Sequence, residues 1–169
     1  VIPIDGRQLG LYVADATGHG VAAAMLAVLF KTKMRLTRDG APMPPGEVLR
    51  DANQKLFEEL FNAKQAPGMF LTAAYAVLDL ETNEVTVASA GHPPLLLQRG
   101  LGSAQLISRT GPALGLVPSA QYSETKFVLG PGDRLLLYTD GLSQSWNERA
   151  SMISQAGQVL SDSHLSGRQ

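Results

Sequence analysis

Two stretches of this sequence end an apolar run on a carboxylate and follow it with small, turn-forming residues. In the first, Leu11-Tyr12-Val13-Ala14 stops at Asp15, and Ala16-Thr17-Gly18-His19-Gly20 leads into an apolar segment from Val21. In the second, Leu135-Leu136-Leu137-Tyr138-Thr139 stops at Asp140-Gly141. A carboxylate at the exit of a buried strand is held at the rim of a sheet, and nearby glycines let the backbone take positive φ or approach a ligand closely. Such a place suits a phosphate or, with both carboxylates at one rim, a hard divalent cation such as Mg²⁺ or Mn²⁺. The same residues admit plainer roles. Asp15 or Thr17 would cap the helix that follows, and Asp140-Gly141 would be an ordinary turn.

The elements around these residues follow from period and punctuation. Residues 8–14 alternate as a strand and 21–36 form a helix, apolar almost all round over 21–30 and therefore expected to be largely buried in its N-terminal half. Its basic end, Lys31, Lys33 and Arg35, suits the negative end of the helix dipole and is expected to be solvated. After the loop at Asp39-Gly40 and Pro42, Pro44 and Pro45, residues 46–61 form an amphipathic helix with Val48, Leu49, Ala52, Leu56, Leu60 and Phe61 on one stripe. From Met69 the period becomes that of strands: 69–80 and 85–90 form a hairpin, 95–98 the next strand, and 122–129 pairs with 134–139 through the Gly130-Pro131-Gly132 turn. His92 falls in the turn Gly91-His92-Pro93-Pro94, where a structural hydrogen bond is its expected role. Residues 150–160 form a short third helix and 161–169 a frayed tail. A strand, two helices and then antiparallel strands fit an α+β fold with helices on the outer faces of sheets.

With 169 residues, 44% hydrophobic and 17% charged, the chain has the makeup of one globular domain with a real core. A formal net charge of -1 leaves no electrostatic footprint for nucleic acid or an anionic membrane. Any phosphorylated substrate would therefore have to be gripped locally. The chain has no cysteine, which excludes disulfides, thiolate nucleophiles and cysteine-ligated zinc. It has no stretch suited to crossing a bilayer and no signal-peptide pattern, so a cytoplasmic protein is expected.

Several motifs in order, Asp15-Ala16-Thr17-Gly18-His19-Gly20, Gly68-Met69-Phe70-Leu71-Thr72, Ala90-Gly91-His92-Pro93-Pro94, Gly115-Leu116, and Gly130-Pro131-Gly132-Asp133 through Tyr138-Thr139-Asp140-Gly141-Leu142, resemble bacterial metal-dependent protein phosphatases (PPM, type 2C-like) of the SpoIIE/RsbU kind. The resemblance spans roughly residues 8–147. It implies an α-β-β-α sandwich of antiparallel sheets, open to truncation at both ends, with residues 1–149 as a phosphatase domain incomplete at its N-terminus and 150–169 as a C-terminal helix and tail. It implies two divalent ions, Mn²⁺ or Mg²⁺, and hydrolysis of phosphoserine or phosphothreonine by metal-bound water. Asp15 would bridge the ions, the Ala16 carbonyl would add a backbone ligand, and Asp140 would be the aspartate of the Thr-Asp-Gly motif. Asp15 and Asp140 are thus the implied catalytic pair. His19 is a candidate general acid, although the histidine that serves as acid in eukaryotic relatives aligns nearer Thr17, so fixing the turn is its expected role. The implied partner is a phosphorylated regulatory protein of the anti-sigma-factor antagonist type, and a sensory or receiver domain commonly shares the chain in this family.

Two family pieces have no counterpart. The Gly-Gly-Asp-x-x-Asp strand would precede Val1, and Ser161-Asp162-Ser163-His164 does not match the terminal Asp-Asp-x-Thr. Gln144 also stands where a glutamate is common. Since hard cations take about six oxygen ligands each, an alternative is a degenerate, catalytically inactive module that keeps the phosphatase fold for protein binding.

Overall fold

The structure is a computed structural model that describes residues 1–62, 68–107 and 111–143. Its elements run β1 (Ile2–Pro3), β2 (Gln8–Ala16), α1 (Val21–Lys33), β3 (Thr37–Arg38), β4 (Ala41–Pro42), α2 (Pro45–Asn62), β5 (Leu71–Asp79), β6 (Glu84–Ala90), β7 (Leu95–Gln98), β8 (Ala104–Ile107), β9 (Thr125–Val128), β10 (Arg134–Leu136) and α3 (Asp140–Ser143). This is the expected α+β architecture with antiparallel sheets. The third helix expected over 150–160, the tail 161–169 and Gln144 lie outside the described residues. Among the described residues no helix is long and apolar enough to cross a membrane. The described residues gather into two compact units, those within Val1–His92 and Arg109–Val128, and those within Pro93–Ser108 and Leu129–Gln169.

The first unit is built on a five-stranded sheet in the order β1-β2-β5-β6-β9. Its axis is the antiparallel pairing of β2 with β5, in register from Gln8↔Asp79 to Ala16↔Leu71. Because successive side chains alternate between faces, Tyr12, Ala14 and Ala16 share one face with Ala73, Tyr75 and Val77, and that face joins Leu26, Phe30, Val48, Leu49, Ala52 and Leu56 of the two helices in one core. Ala74, Ala76, Val85 and Val87, on the other face, are buried as well. Strands buried on both faces read as near-continuous apolar runs, which is how β5 is composed.

The second helix matches its expected stripe except at Phe61, which is exposed and stacks on Phe57 at a centroid distance of 6.0 Å. Its least anticipated residue is Asn53, fully buried on the core side. The Asn53 Oδ1 accepts the Gly115 N–H at 2.9 Å and its Nδ2 donates to the Val117 carbonyl at 2.8 Å. One amide therefore ties the Gly111–Pro118 connection to the helix. The adjoining Leu114 exchanges backbone hydrogen bonds with Leu71 at the start of β5.

The first helix departs from expectation. Its N-terminal half is not largely buried: Val21, Met25 and Val28 are 76%, 67% and 63% exposed, while Leu26 and Phe30 are the buried positions. A helix apolar on every side carries no preference for one stripe, and its neighbours β2 and α2 cover only one. Phe30 meets Tyr12 of β2 edge-on with ring centroids 6.1 Å apart, and Lys33 bridges to Glu59 of α2 at 2.7 Å. The helix also stops at Lys33, short of residue 36, because Met34 turns to extended backbone and the Leu36 carbonyl accepts the Met43 N–H.

The second unit contains a three-stranded sheet in the order β10-β7-β8. The expected hairpin between 122–129 and 134–139 is therefore not formed: β9 pairs with β6, and β10 pairs with β7. Asp133 supplies the physical reason. Its carboxylate accepts the Gly130 N–H at 2.9 Å, the Gly100 N–H at 2.9 Å and the Arg99 guanidinium at 2.6 Å. Those bonds close the Gly-Pro-Gly turn on itself and deliver the chain to the end of β7. They also hold the Asp133 carboxyl below its ordinary value, the Gly130 N–H contributing most.

A second aspartate does comparable work at the far end of the central pair. Asp79 closes the β5–β6 turn by accepting the Glu81 and Thr82 N–H groups, each at 3.0 Å, and binds Arg7 at 2.7 Å. These bonds, the Thr82 N–H first and the Arg7 side chain second, lower its carboxyl to about 2.

Two outcomes follow. Asn53→Ala leaves the Gly115 N–H and the Val117 carbonyl without their buried partner and should cost about 2–4 kcal/mol in urea denaturation. Asp79→Asn should lower the melting temperature at neutral pH, where the depressed carboxyl is fully ionised. A folded-state value below the unfolded one of about 3.9 gives stability present above that value and lost as pH falls through the folded one. The difference between wild type and variant should accordingly shrink as the pH of the melt falls from about 5 towards 2.

Candidate active site

Asp15 occupies the next-to-last position of β2, directly opposite Thr72 of β5. It is half-buried and lies on the sheet face opposite the one packed by the helices. The exit of β2 is fastened one step further on. Thr17 donates its N–H to the Phe70 carbonyl at 3.0 Å, its Oγ1 donates to the same carbonyl at 3.0 Å, and that Oγ1 accepts the Phe70 N–H at 3.0 Å. The Thr17 hydroxyl is thereby committed to Phe70 and not to α1.

This decides between the two readings of the first stretch that involve capping. The N-cap of α1 is Gly20, at φ 76°, and no side chain caps it. Neither Asp15 nor Thr17 serves that purpose. The glycine turn at Gly18 and Gly20, both at positive φ, separates the carboxylate from the helix.

Opposite the same strand end, a histidine is built into the core. Thr72 Oγ1 lies 3.0 Å from His92 Nδ1 and 3.5 Å from the Asp15 carbonyl. His92 is fully buried, and its turn depends on Gly91, at φ 66°, whose N–H donates to the Gly111 carbonyl at 2.8 Å. A Cβ at Gly91 would stand 2.9 Å from the Ala113 backbone nitrogen. His19, in contrast, is exposed in the β2–α1 turn and makes no hydrogen bond among the described residues; Thr17 holds that turn instead.

Of the residues that the sequence points to, Asp15 and Ala16 therefore sit together at the exit of β2, joined by Thr17, Thr72 and His92. Asp140 opens the single-turn α3 in the second unit and is exposed. It follows the buried Tyr138, which packs with Leu96 and Ala104. The donors suit a hard cation in chemistry, being carboxylate and carbonyl oxygens. Among the described residues no group of three or more His, Asp or Glu side chains gathers to hold an ion. Thr17 and Thr72 are the residues bonded at this strand end that apolar periodicity could not reveal. Only their place in the two motifs marks them.

Comparison with known proteins places this geometry. The family described as Stage II sporulation protein E (SpoIIE) matches residues 5–167. The phosphoserine phosphatase RsbP of Bacillus subtilis is 29% identical over 140 residues, which cover 82% of this chain and 34% of that protein. The phosphoserine phosphatase RsbU of the same organism is 26% identical over 165 residues, covering 95% of this chain and 47% of that protein. The crystal structure of the RsbU and RsbW domains of Rv1364c from Mycobacterium tuberculosis superposes with a TM-score of 0.72 at 30% identity, over 93% of this chain and 44% of that one. The chain thus spans less than half the length of these three relatives.

The two glycines beside the site separate conformational strain from crowding. Gly18→Ala meets only the strain of φ 87°, with open space around the new Cβ, and should cost about 1 kcal/mol. Gly91→Ala adds a backbone collision to a φ of 66° and should cost at least about 2 kcal/mol. Equal losses of stability in thermal melts would contradict the crowded turn at His92.

Proposed function

The chain belongs to the SpoIIE family of PPM-type phosphatase domains, and from that premise we propose that it hydrolyses phosphoserine or phosphothreonine on a bacterial regulatory protein with the help of divalent metal. The observation that carries the reading is the Asp15 carboxylate, half-buried at the exit of a strand paired along its whole length with the buried β5 and fastened beyond it by Thr17. Asp15, the Ala16 carbonyl and Asp140 are the metal ligands we propose. A bound divalent pair supplies an acidified water and neutralises charge on the phosphoryl oxygens. The protein's own part is to keep its oxygen donors where hydration would otherwise compete for them. Thr17 does so by spending its hydroxyl on Phe70, which removes a freedom of the strand end that an ion would have to freeze. No residue of the chain is asked to act as a nucleophile.

The names of RsbP and RsbU, both phosphoserine phosphatases, support phosphoserine as the substrate group. From the family resemblance we further propose that the phosphorylated protein is of the anti-sigma-factor antagonist type. We also propose that residues 1–149 act as the phosphatase domain, and that a sensory or receiver domain belongs to the same polypeptide in the cytoplasm.

One observation favours a second reading. With no three acidic or histidine side chains gathered among the described residues, the chain would serve as an inactive, protein-binding relative. Hydrolysis of a phosphoserine peptide with and without Mn²⁺ separates the two. The phosphatase reading expects metal-dependent turnover that falls at least about 100-fold in both Asp15→Asn and Asp140→Asn, as expected for losing a ligand in a metal-assisted step. Equal turnover in wild type and both variants, or none with any metal, would overturn it.

A further inference from the structure

We propose that His92, acting through the Thr72 hydroxyl, is a positioning residue for the Asp15 end of β2. Thr72 faces Asp15 across the central strand pair, and its Oγ1 lies between the Asp15 carbonyl at 3.5 Å and His92 Nδ1 at 3.0 Å. A threonine hydroxyl has one proton to donate and lone pairs to accept with. Both contacts are made at once only if the proton sits on Nδ1: His92 Nδ1–H donates to Thr72, and Thr72 donates to the Asp15 carbonyl. With the proton absent from Nδ1, the hydroxyl would turn to the histidine and release the carbonyl.

The rest of the neighbourhood explains why a histidine can set this rotor. Its ring is fully buried, and Gly91 bridges to Ala73, the residue after Thr72, while donating to Gly111. His92 is thus anchored by backbone to the strand whose side chain it directs. Positioning partners one step removed from a metal ligand commonly alter metal affinity by about 10–100-fold. The inference rests on the phosphatase reading only where metal is measured.

The test uses the 169-residue chain, its Thr72→Val, Thr72→Ser, His92→Ala and His92→Asn variants, and three readouts. Nitrogen NMR of the metal-free protein should show His92 protonated on Nδ1. Hydrogen exchange should show the Thr17 amide opening about tenfold faster in Thr72→Val, with the amides of residues 9–13 unchanged. Calorimetry should show Mn²⁺ binding weakened about tenfold in Thr72→Val and His92→Ala. Thr72→Ser keeps the hydroxyl, and His92→Asn keeps an amide N–H at the same number of bonds from Cα as Nδ1. Both should stay within about threefold of wild type in both assays. An Nδ1 without a proton, a Thr17 amide unmoved in Thr72→Val, or a loss of protection spread evenly along β2 would overturn the proposal. Should the wild type bind no Mn²⁺, the phosphatase reading fails, and the tautomer and exchange results still decide the role of His92.

Discussion

The pairing of β2 with β5 is the constraint on which the rest of the first unit depends. Nine residue pairs run from Gln8↔Asp79 to Ala16↔Leu71, and slipping the register by one would send Tyr12, Ala14 and Ala16 to the face that now carries Asp15. Turning the Asp15 carboxylate into the core packed by the helices makes that slip prohibitive. Each end of the pair is then finished by a different polar device. At one end Asp79 gathers two turn N–H groups and Arg7; at the other, Thr17 and Thr72 bind across to the partner strand. The proposed site lies at the threonine end, where the bonds run between strands rather than into a turn. A carboxylate can stand there beside a glycine loop without being drawn into capping.

Much of this was legible in the sequence, because the residues concerned write strong local signals. The alternation in β6, the unbroken apolar run of β5 and the stripe of Val48, Leu49, Ala52 and Leu56 place those elements to within a few residues. What escaped has a common cause. The burial of α1 could not be read because apolar residues surround it, so that nothing local distinguishes Leu26 from Met25, although the first is buried and the second is 67% exposed. The pairing of β10 could not be read because Gly130-Pro131-Gly132 looks like a hairpin turn, while its direction is set by Asp133 reaching Gly100 and Arg99, some thirty positions earlier.

The site divides in the same way. Asp15 and Asp140 were visible as carboxylates ending apolar runs, and the glycines around Asp15 announced a turn at positive φ. The resemblance to phosphatases turned those marks into a site; the spacing alone left capping open, and the glycine N-cap of α1 removed it. Thr17, Thr72 and His92 gave no periodic signal, since their roles come from partners 53, 57 and 20 residues away in sequence. Asn53 was hidden in the same manner, a polar residue on an apolar stripe whose partners belong to a distant loop.

The claim at the centre of this account is that the exit of β2 is an oxygen site for a divalent cation. Paramagnetic broadening of the amide NMR spectrum during titration with Mn²⁺ tests it most directly, since the ion erases the signals nearest to it. The account predicts that the amides of residues 15–18 disappear first. Early loss around Asp79 and Glu81, with residues 15–18 left sharp, would contradict it and place the chain's affinity for metal away from the strand end that its fold so firmly holds.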